Sequence, residues 1–268
     1  MLITSPQNPR VKALLALRRR PGRRGSGLML VDGHDELVVA LASGARATSL
    51  YYSPELVRDR GELDILEELR QQGTEVFQVS EQVFQKVAYR QAPDGWLAVF
   101  PAVPTELGRL RLRQDAIVLV CESVEKPGNL GAMLRTADAA AVDAVISSSA
   151  ATDWGNPNIV RASKGAIFSV PVAEASREEL IPWLRAQGLR IVAASPNSSV
   201  PYTSADLRGS VAIVVGAESH GLDEEWLRAA DATVRIPMFG RLNSLNVATS
   251  AALLIYEAAR QRGRLQPT

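Results

Sequence analysis

The sequence predicts an α/β protein of two domains, the second of which is built on a parallel β-sheet. Three observations support this prediction: short apolar runs recur in the second part of the chain, helical stretches separate them, and a proline-rich segment at 100–104 divides the chain. Non-alternating apolar runs are typical of strands buried on both faces of a sheet. Strands that alternate with helices favour an open sheet with helices on both faces.

Composition narrows the possible classes of protein. The chain has 268 residues, of which 46% are hydrophobic and 22% are charged, and this balance is typical of globular domains rather than of disordered chains. It lacks an apolar run of the roughly 20 residues that a membrane helix needs and an N-terminal signal sequence, so we expect a cytoplasmic protein without a membrane partner. One cysteine and two histidines are too few for a disulfide framework or a usual zinc site, so we expect no metal.

The first domain is expected at 1–100, followed by a linker at 101–114. A helix at 11–20 carries Leu14, Leu15 and Leu17, and Pro21-Gly22 should end it. Further helices at 35–42 and 63–72 are each followed by a glycine. Short β-rich runs predict strands at 28–31, 47–52, 75–79 and 96–100.

The second domain is expected at 115–268. Its apolar runs predict buried strands at 116–120, 144–146, 190–194 and 211–215. Between and after them, helices are predicted at 130–141, 177–187, 223–230 and 244–262. Ligands bind at the carboxyl ends of the strands in such sheets, so the segments after these strands are the candidate functional ones.

A basic segment begins the chain although the formal net charge is only +1. Between residues 1 and 31 there is no acidic residue, and the basic residues are Arg10, Lys12, Arg18, Arg19, Arg20, Arg23 and Arg24. Such a segment is typical of a surface that contacts a phosphate backbone. A solvated basic helix end would explain the charges equally well.

Two polar segments follow predicted strands. In the first, a Pro-Gly turn leads to Asn129 near a helix start and to Arg135 in the next turns. In the second, Gly216 and Gly221 flank Glu218, and such glycines permit close approach of the backbone to a ligand. An N-cap asparagine, a surface arginine and a plain tight turn are the simpler interpretations.

A third segment runs from Ile236-Pro-Met238 to Ser244-Leu-Asn246-Val, just before the last helix. Ser244 could cap that helix, and Asn246 could form local hydrogen bonds. Taken alone, none of the three segments identifies a reaction.

Together the segments resemble a known family. NxGxxxR, GxExxG and IPM followed by SLNV occur here in the order and spacing of the three motifs of the SpoU/TrmH RNA methyltransferases. The stretch 161–166 (RASKGA) is similar to a fourth shared stretch, and 3–12 (ITSPQNPRVK) resembles the start of that family's substrate-binding domain. The resemblance covers 115–262 and the N-terminus.

The resemblance implies a catalytic domain of the SPOUT superfamily, with a C-terminal trefoil knot, and a homodimer. It also implies S-adenosylmethionine as cofactor. By motif match, backbone groups of four residues would line the cofactor pocket, and two residues that end a buried strand are further candidates: Gly216, Ile236, Met238 and Leu245, then Ala194 and Ser195.

The same match assigns catalytic and substrate-orienting roles to five residues: Asn129, Arg135, Glu218, Ser244 and Asn246. A ribose 2′-hydroxyl is a weak nucleophile and loses its proton as it attacks the methyl group. The resemblance puts Arg135 between the RNA phosphate and that hydroxyl. A guanidinium is a very weak base, however, so Arg135 could polarise or position the hydroxyl rather than deprotonate it.

The N-terminal domain resembles the small RNA-binding domain of large-subunit rRNA methyltransferases, which favours 23S rRNA as substrate. Three alternatives stay open at this point. The enzyme could methylate tRNA by the same chemistry, it could methylate an antibiotic site on the ribosome, or the chain could be a non-catalytic RNA-binding scaffold with the same fold.

Overall fold

The computed structural model describes residues 2–149, 152–217 and 221–263. Within these ranges the chain forms two β-sheets, and helices lie between many of their strands along the sequence. The strands are β1 (Leu2–Ile3), β2 (Leu28–Asp32), β3 (Ser49–Tyr52), β4 (Glu75–Val79), β5 (Trp96–Pro101), β6 (Ile117–Glu122), β7 (Ala144–Ser148), β8 (Val172–Ala175), β9 (Arg190–Ala194), β10 (Val211–Val215) and β11 (Ala232–Val234). The helices are α1 (Pro9–Leu17), α2 (Arg20–Ser26), α3 (His34–Ala42), α4 (Ile65–Gln71), α5 (Glu81–Val87), α6 (Pro127–Ala139), α7 (Pro157–Ala162), α8 (Arg177–Ala186), α9 (Glu224–Ala229) and α10 (Val247–Gln261). None of these helices is long and apolar enough to cross a membrane.

The chain divides into two units, and the first of them is discontinuous in sequence. Unit 1 consists of residues 1–103 and 153–169, and unit 2 of residues 104–152 and 170–268. The chain therefore passes between the units three times. This division rests on spatial contacts, whereas the boundaries expected from the sequence, with a linker at 101–114, stay a prediction.

Unit 1 contains a mixed sheet in the order β1-β4-β3-β5-β2. The β1, β4 and β3 strands run parallel, and β5 is antiparallel to both β3 and β2. Helix α1 buries Val11, Leu14 and Leu17 in a core shared with Phe84 of α5 and Leu97 of β5. This apolar stripe at helical spacing explains why the segment folds as a helix on the sheet.

The segment 153–169 completes unit 1. Helix α7 packs against β2, and the ring of Phe168 lies 5.1 Å from that of Phe100, centroid to centroid. Gly165 has a φ of +83°, and a β-carbon there would lie 2.9 Å from the Cβ of Val39. A larger residue would therefore push this segment away from α3.

Unit 2 contains a fully parallel sheet in the order β11-β9-β10-β6-β7-β8. Its central strands are buried along their whole length, as in β6 and β10. Helix α10 packs against α6, β6 and β10, with Leu254 and Ile255 fully buried. The predicted α/β class and the parallel sheet of the second domain are thereby confirmed.

The prediction that Pro21-Gly22 end a helix at 11–20 is wrong. Helix α1 ends at Leu17, and Pro21 lies in the first turn of a new helix, α2. Proline is tolerated in a first turn because the amide that it lacks would have no helical partner there. Likewise the last helix begins at Val247, not at 244, because Asn246 is its N-cap.

Candidate functional site

The candidate site of unit 2 lies along one edge of its parallel sheet. Strands β11, β9, β10 and β6 are consecutive neighbours, so their carboxyl ends lie at the same edge. Ser195 directly follows β9, Gly216 directly follows β10, and Ile236 lies two residues after β11. Topology therefore gathers segments that are far apart in sequence at the edge where open α/β sheets bind ligands.

Backbone contacts shape this edge. The amide of Ser195 donates to the carbonyl of Val234 at 2.9 Å, which ties the end of β9 to the end of β11. A β-carbon on Gly216 would lie 2.3 Å from the carbonyl carbon of Gly221, a distance that real structures do not show. Gly221 thus lies so close to Gly216 that only glycine fits at 216.

The other candidate cofactor residues lie along the same segments. Ala194, the last residue of β9, is half-buried, and so are Ile236 and Met238 after β11. Leu245 is 38% exposed just before α10. Half-buried and exposed apolar side chains at a sheet edge offer a surface on which a flat apolar group can pack.

Asn129 and Asn246 meet, although 117 residues separate them. Asn246 is the N-cap of α10, and its side-chain oxygen accepts from the amides of Ala248 at 2.9 Å and Thr249 at 3.4 Å. This leaves its amide nitrogen to donate to the Oδ1 of Asn129 at 3.2 Å. Asn129 lies in the first turn of α6, so one hydrogen bond links the starts of α6 and α10.

Arg135 is exposed on α6, six residues after Asn129 and so roughly 9 Å further along the helix axis. Within the described part of the chain its guanidinium has neither an ion pair nor a hydrogen bond. Ser244 is exposed two residues before Asn246 and is not the helix cap. Glu218 lies outside the described residues.

Glu122, the last residue of β6, lies at the site although no motif in the sequence indicated it. Its side chain is buried, and its Oε2 accepts from the indole Nε1 of Trp226 at 2.8 Å. Its Oε1 accepts from the hydroxyl of Ser123, which adopts a φ of +51°. The Glu122 carboxylate thus fixes the turn that leads from β6 to α6, and a charged residue ending an apolar run was the only signal for it.

The basic residues of unit 1 fall into two groups, and the first group is ion-paired. Arg23 is only 5% exposed and donates twice to Asp153, at 2.8 and 2.6 Å, and Arg20 lies 3.9 Å from the same carboxylate. Arg10 pairs with Glu75 at 3.2 Å, which raises the pKa of Arg10. The charges of these three arginines are thus paired with carboxylates within unit 1.

The second group is not ion-paired. Lys12, Arg19 and Arg24 are exposed and have no ion pair within the described residues. Arg18 is half-buried, with its guanidinium carbon 5.3 Å from the ring centroid of Tyr89. The basic segment therefore contributes fewer available charges than its composition predicts.

Two family models match the chain. The SpoU rRNA Methylase family matches residues 116–256, and the MRM3-like substrate binding domain matches residues 8–98. The first match covers more than half of the chain and includes Asn129, Arg135 and Asn246. The second covers α1 to α5 of unit 1.

The similar proteins agree with these models. A 23S rRNA (guanosine(2553)-2′-O)-methyltransferase of Bacillus subtilis is 31% identical over 95% of this chain and 97% of its own. A 23S rRNA (uridine(2479)-2′-O)-methyltransferase of Streptomyces viridochromogenes is 30% identical over 94% of this chain and 88% of its own. An AdoMet-bound rRNA methyltransferase from Sinorhizobium meliloti superposes with a TM-score of 0.90, at 30% identity, over 100% of this chain and 99% of its own.

Proposed function

The chain belongs to the SpoU rRNA methylase family, and from this premise we propose that it methylates a ribose 2′-hydroxyl of 23S rRNA with S-adenosylmethionine. Two relatives named as 23S rRNA 2′-O-methyltransferases align with it over at least 88% of their length. Because one is named for a guanosine and the other for a uridine, they support the reaction and the RNA but not a particular base. An enzyme acting on ribosomal RNA would work in the cytoplasm.

The carboxyl edge of the unit 2 sheet fits the proposed cofactor. Backbone groups of Ser195 and Gly216 would bind its polar parts, and the apolar side chains of Ile236, Met238 and Leu245 would pack on its adenine. Ala194 lies beside them at the end of β9. When bound, S-adenosylmethionine supplies the methyl group on a positively charged sulfur.

The hydrogen bond between Asn129 and Asn246 carries the proposed role of these two residues. It holds the α6 start, next to the β6 carboxyl end, against the α10 start. We expect Asn129 and Glu218 to orient Arg135, and Ser244 and Asn246 to hold the ribose and the loop at 236–246. Methyl transfer depends mainly on such alignment, because a misplaced hydroxyl does not attack.

Arg135 would bind the phosphate next to the target ribose. Its exposed guanidinium has no internal carboxylate partner in the described part of the chain, so its charge is available to an anion. As a permanent cation it would polarise and position the 2′-hydroxyl rather than remove its proton. We also propose a homodimer and a trefoil knot, as the family resemblance implies.

The test is a labelling reaction. Purified protein is incubated with radiolabelled S-adenosylmethionine and protein-free 23S, 16S and transfer RNA, beside the Arg135→Ala variant. Arg109→Ala is the matched control, because Arg109 is also exposed and without an ion pair in the described part of unit 2. We expect label in 23S RNA only, resistance of the labelled linkage to alkali, a loss of about 100-fold or more in Arg135→Ala, and wild-type activity in Arg109→Ala.

Label in transfer RNA instead of 23S RNA would show that the substrate is tRNA and would contradict the proposed rRNA substrate. Cofactor binding measured by calorimetry separates the remaining outcomes. A protein that binds the cofactor but labels no naked RNA would require an assembled particle as substrate. A protein that neither binds the cofactor nor labels any RNA would be the non-catalytic scaffold.

A further inference from the structure

A groove crosses the surface of unit 1 between α1, α2 and the residues after α5. Its volume is about 880 Å³, which lies in the range of about 300–1,000 Å³ typical of small-molecule sites. Leu15, Ala16 and Pro21 give it an apolar floor. At the groove, Gly22 of α2 lies against Ala16 of α1 so closely that a β-carbon at Gly22 would be 2.1 Å from the Ala16 carbonyl oxygen.

The rim of the groove is positively charged. Lys12, Arg18 and Arg19 line it, and its lining contains no carboxylate. Lys12 and Arg19 are exposed without an ion pair in the described part of the chain. Cations that no internal acid neutralises retain their attraction for an external anion.

An aromatic ring is held in fixed position at the same groove. The backbone amide of Tyr89 donates to Asp32 at 2.6 Å, and the Tyr89 hydroxyl accepts from the Nδ2 of Asn158 at 2.8 Å. These bonds anchor Tyr89 at both ends. The Arg18 guanidinium lies 5.3 Å from the ring centroid and donates to the carbonyl of Lys86 at 3.3 Å.

We propose that this groove binds an unpaired nucleotide of the RNA substrate. The base would pack on the Tyr89 ring and the apolar floor, and Lys12 and Arg19 would bind the flanking phosphates. A fixed aromatic ring next to unpaired cations is the arrangement that recognises single-stranded RNA, because only an unpaired base can expose its face to a side chain. A duplex would use the cations and leave the ring and floor uncovered.

The inference rests on the proposed function, since it concerns how the substrate of that reaction is held. It also narrows the predicted RNA contacts. Of the seven basic residues that the sequence offers at 1–31, it selects Lys12 and Arg19 as phosphate contacts. It assigns Arg10 and Arg23 to ion pairs within unit 1 and Arg18 to the Tyr89 ring.

The charge test compares two cations that line the groove, Lys12 and Arg19, with Arg10 outside it. The probe is a fluorescein-labelled RNA hairpin with an eight-uridine loop, titrated by anisotropy at several salt concentrations against the full chain. We expect Lys12→Gln and Arg19→Gln each to weaken binding about fivefold and to flatten the slope of log K against log salt by about 0.7. Arg10→Gln removes the same charge from α1, the helix that carries Lys12, but outside the groove, and we expect less than a twofold change.

The ring test compares the hairpin with a blunt duplex of the same stem. Tyr89→Leu should weaken hairpin binding about tenfold and leave duplex binding unchanged. Tyr89→Phe keeps the ring but loses the hydrogen bond from Asn158 that fixes it, so it should bind the hairpin less tightly than the wild type and more tightly than Tyr89→Leu. Equal thermal unfolding midpoints of the variants exclude a folding defect as the cause.

Two results would overturn the proposal: Lys12→Gln and Arg19→Gln that bind like Arg10→Gln, or a Tyr89→Leu variant that loses hairpin and duplex binding equally. Cofactor binding and labelling of 23S RNA by the wild type are measured in parallel. If the wild type labels 23S RNA and the groove variants bind the hairpin normally, the groove alone is rejected. If the wild type neither binds the cofactor nor labels RNA, the proposed function is rejected.

Discussion

The two units form their candidate sites by different means. In unit 2, parallel strands end at one edge, and the backbone itself brings Ser195, Gly216 and Asn246 into one region. In unit 1 the sheet is mixed, and the groove is made by side chains of two helices that glycine allows to approach closely.

This difference explains why sequence patterns predict the position of a residue better at the ends of parallel strands than on helix surfaces. A polar residue at the end of a buried parallel strand has its position determined by topology, so a motif there predicts location well. A cation on a helix surface can face solvent, a carboxylate or a groove. Which of these it faces depends on residues far away in sequence, such as Asp153 for Arg23.

The largest expected effect comes from Gly22→Ala, a substitution that should impair the groove of unit 1 without affecting the cofactor site of unit 2. Gly22→Ala places a methyl group 2.1 Å from a backbone oxygen, so α1 and α2 must move apart. We expect a free energy of unfolding lower by about 3 kcal/mol and loss of hairpin binding, with cofactor binding retained. Chemical denaturation and calorimetry measure these changes.

Gly25→Ala is the matched control on the same helix. A β-carbon at Gly25 meets nothing within 4 Å, so the substitution should stabilise α2 by about 0.5–1 kcal/mol through its backbone entropy. If both alanine variants were equally stable, the close approach of α1 and α2 would not limit the fold of unit 1.

Trp226 provides the reciprocal test in unit 2. Trp226→Phe keeps an aromatic ring but removes the hydrogen bond to the buried Glu122. An unsatisfied buried carboxylate oxygen costs about 2 kcal/mol, and the turn before α6 loses its anchor. We expect lower stability and a reduced kcat for methyl transfer, with unchanged binding of the hairpin.

A double-mutant cycle checks the cause. Combining Trp226→Phe with Glu122→Leu should cost less than the sum of the two single changes, because each removes one partner of the same bond. Strict additivity would contradict a role for this pair in fixing the turn.

The smallest expected effect is an opposite response of the two units to acid. Burial of Asp143 disfavours its charge, but hydrogen bonds from Arg113 and the amide of Ile117 outweigh this, and its pKa is lowered. Its contribution to stability is present above the unfolded-state pKa and is lost as pH falls through the lower folded value. Asp143→Asn should therefore flatten the loss of stability of unit 2 below about pH 4.

Asp32 in unit 1 behaves in the opposite way. Burial raises its pKa, although the amides of Tyr89 and Arg90 donate to it. Its ionised form thus costs stability at neutral pH, and this cost disappears as pH falls through the raised folded pKa. Asp32→Asn should remove this gain on acidification, as followed by urea unfolding at pH 4 to 7; a profile identical to the wild type would contradict it.

Much of the fold could be predicted from sequence, because the buried strands of unit 2 are uninterrupted apolar runs. Strands β6, β9 and β10 lie within a residue or two of the expected ranges. Short elements such as β1, with two residues, and β11, with three, carry no periodicity that could reveal them. Helix α7 was missed because six residues are too few for an amphipathic pattern.

For the candidate site, the motifs located Asn129 and Asn246 but not their mutual hydrogen bond, which depends on α10 packing against α6. Tyr89 had no signal at all. It lies outside every predicted element, and its importance comes from Asn158, 69 residues away, which holds its hydroxyl.

The return of residues 153–169 to unit 1 has a consequence for dissecting the chain. A fragment that begins at residue 104 would keep this segment but lose the packing of α7 against β2, and Asp153 would lose Arg23. Cutting the chain between the matched family regions therefore does not yield two self-sufficient modules. A chimera with a relative therefore has to exchange residues 1–103 and 153–169 together, because these two separate stretches of sequence form one unit.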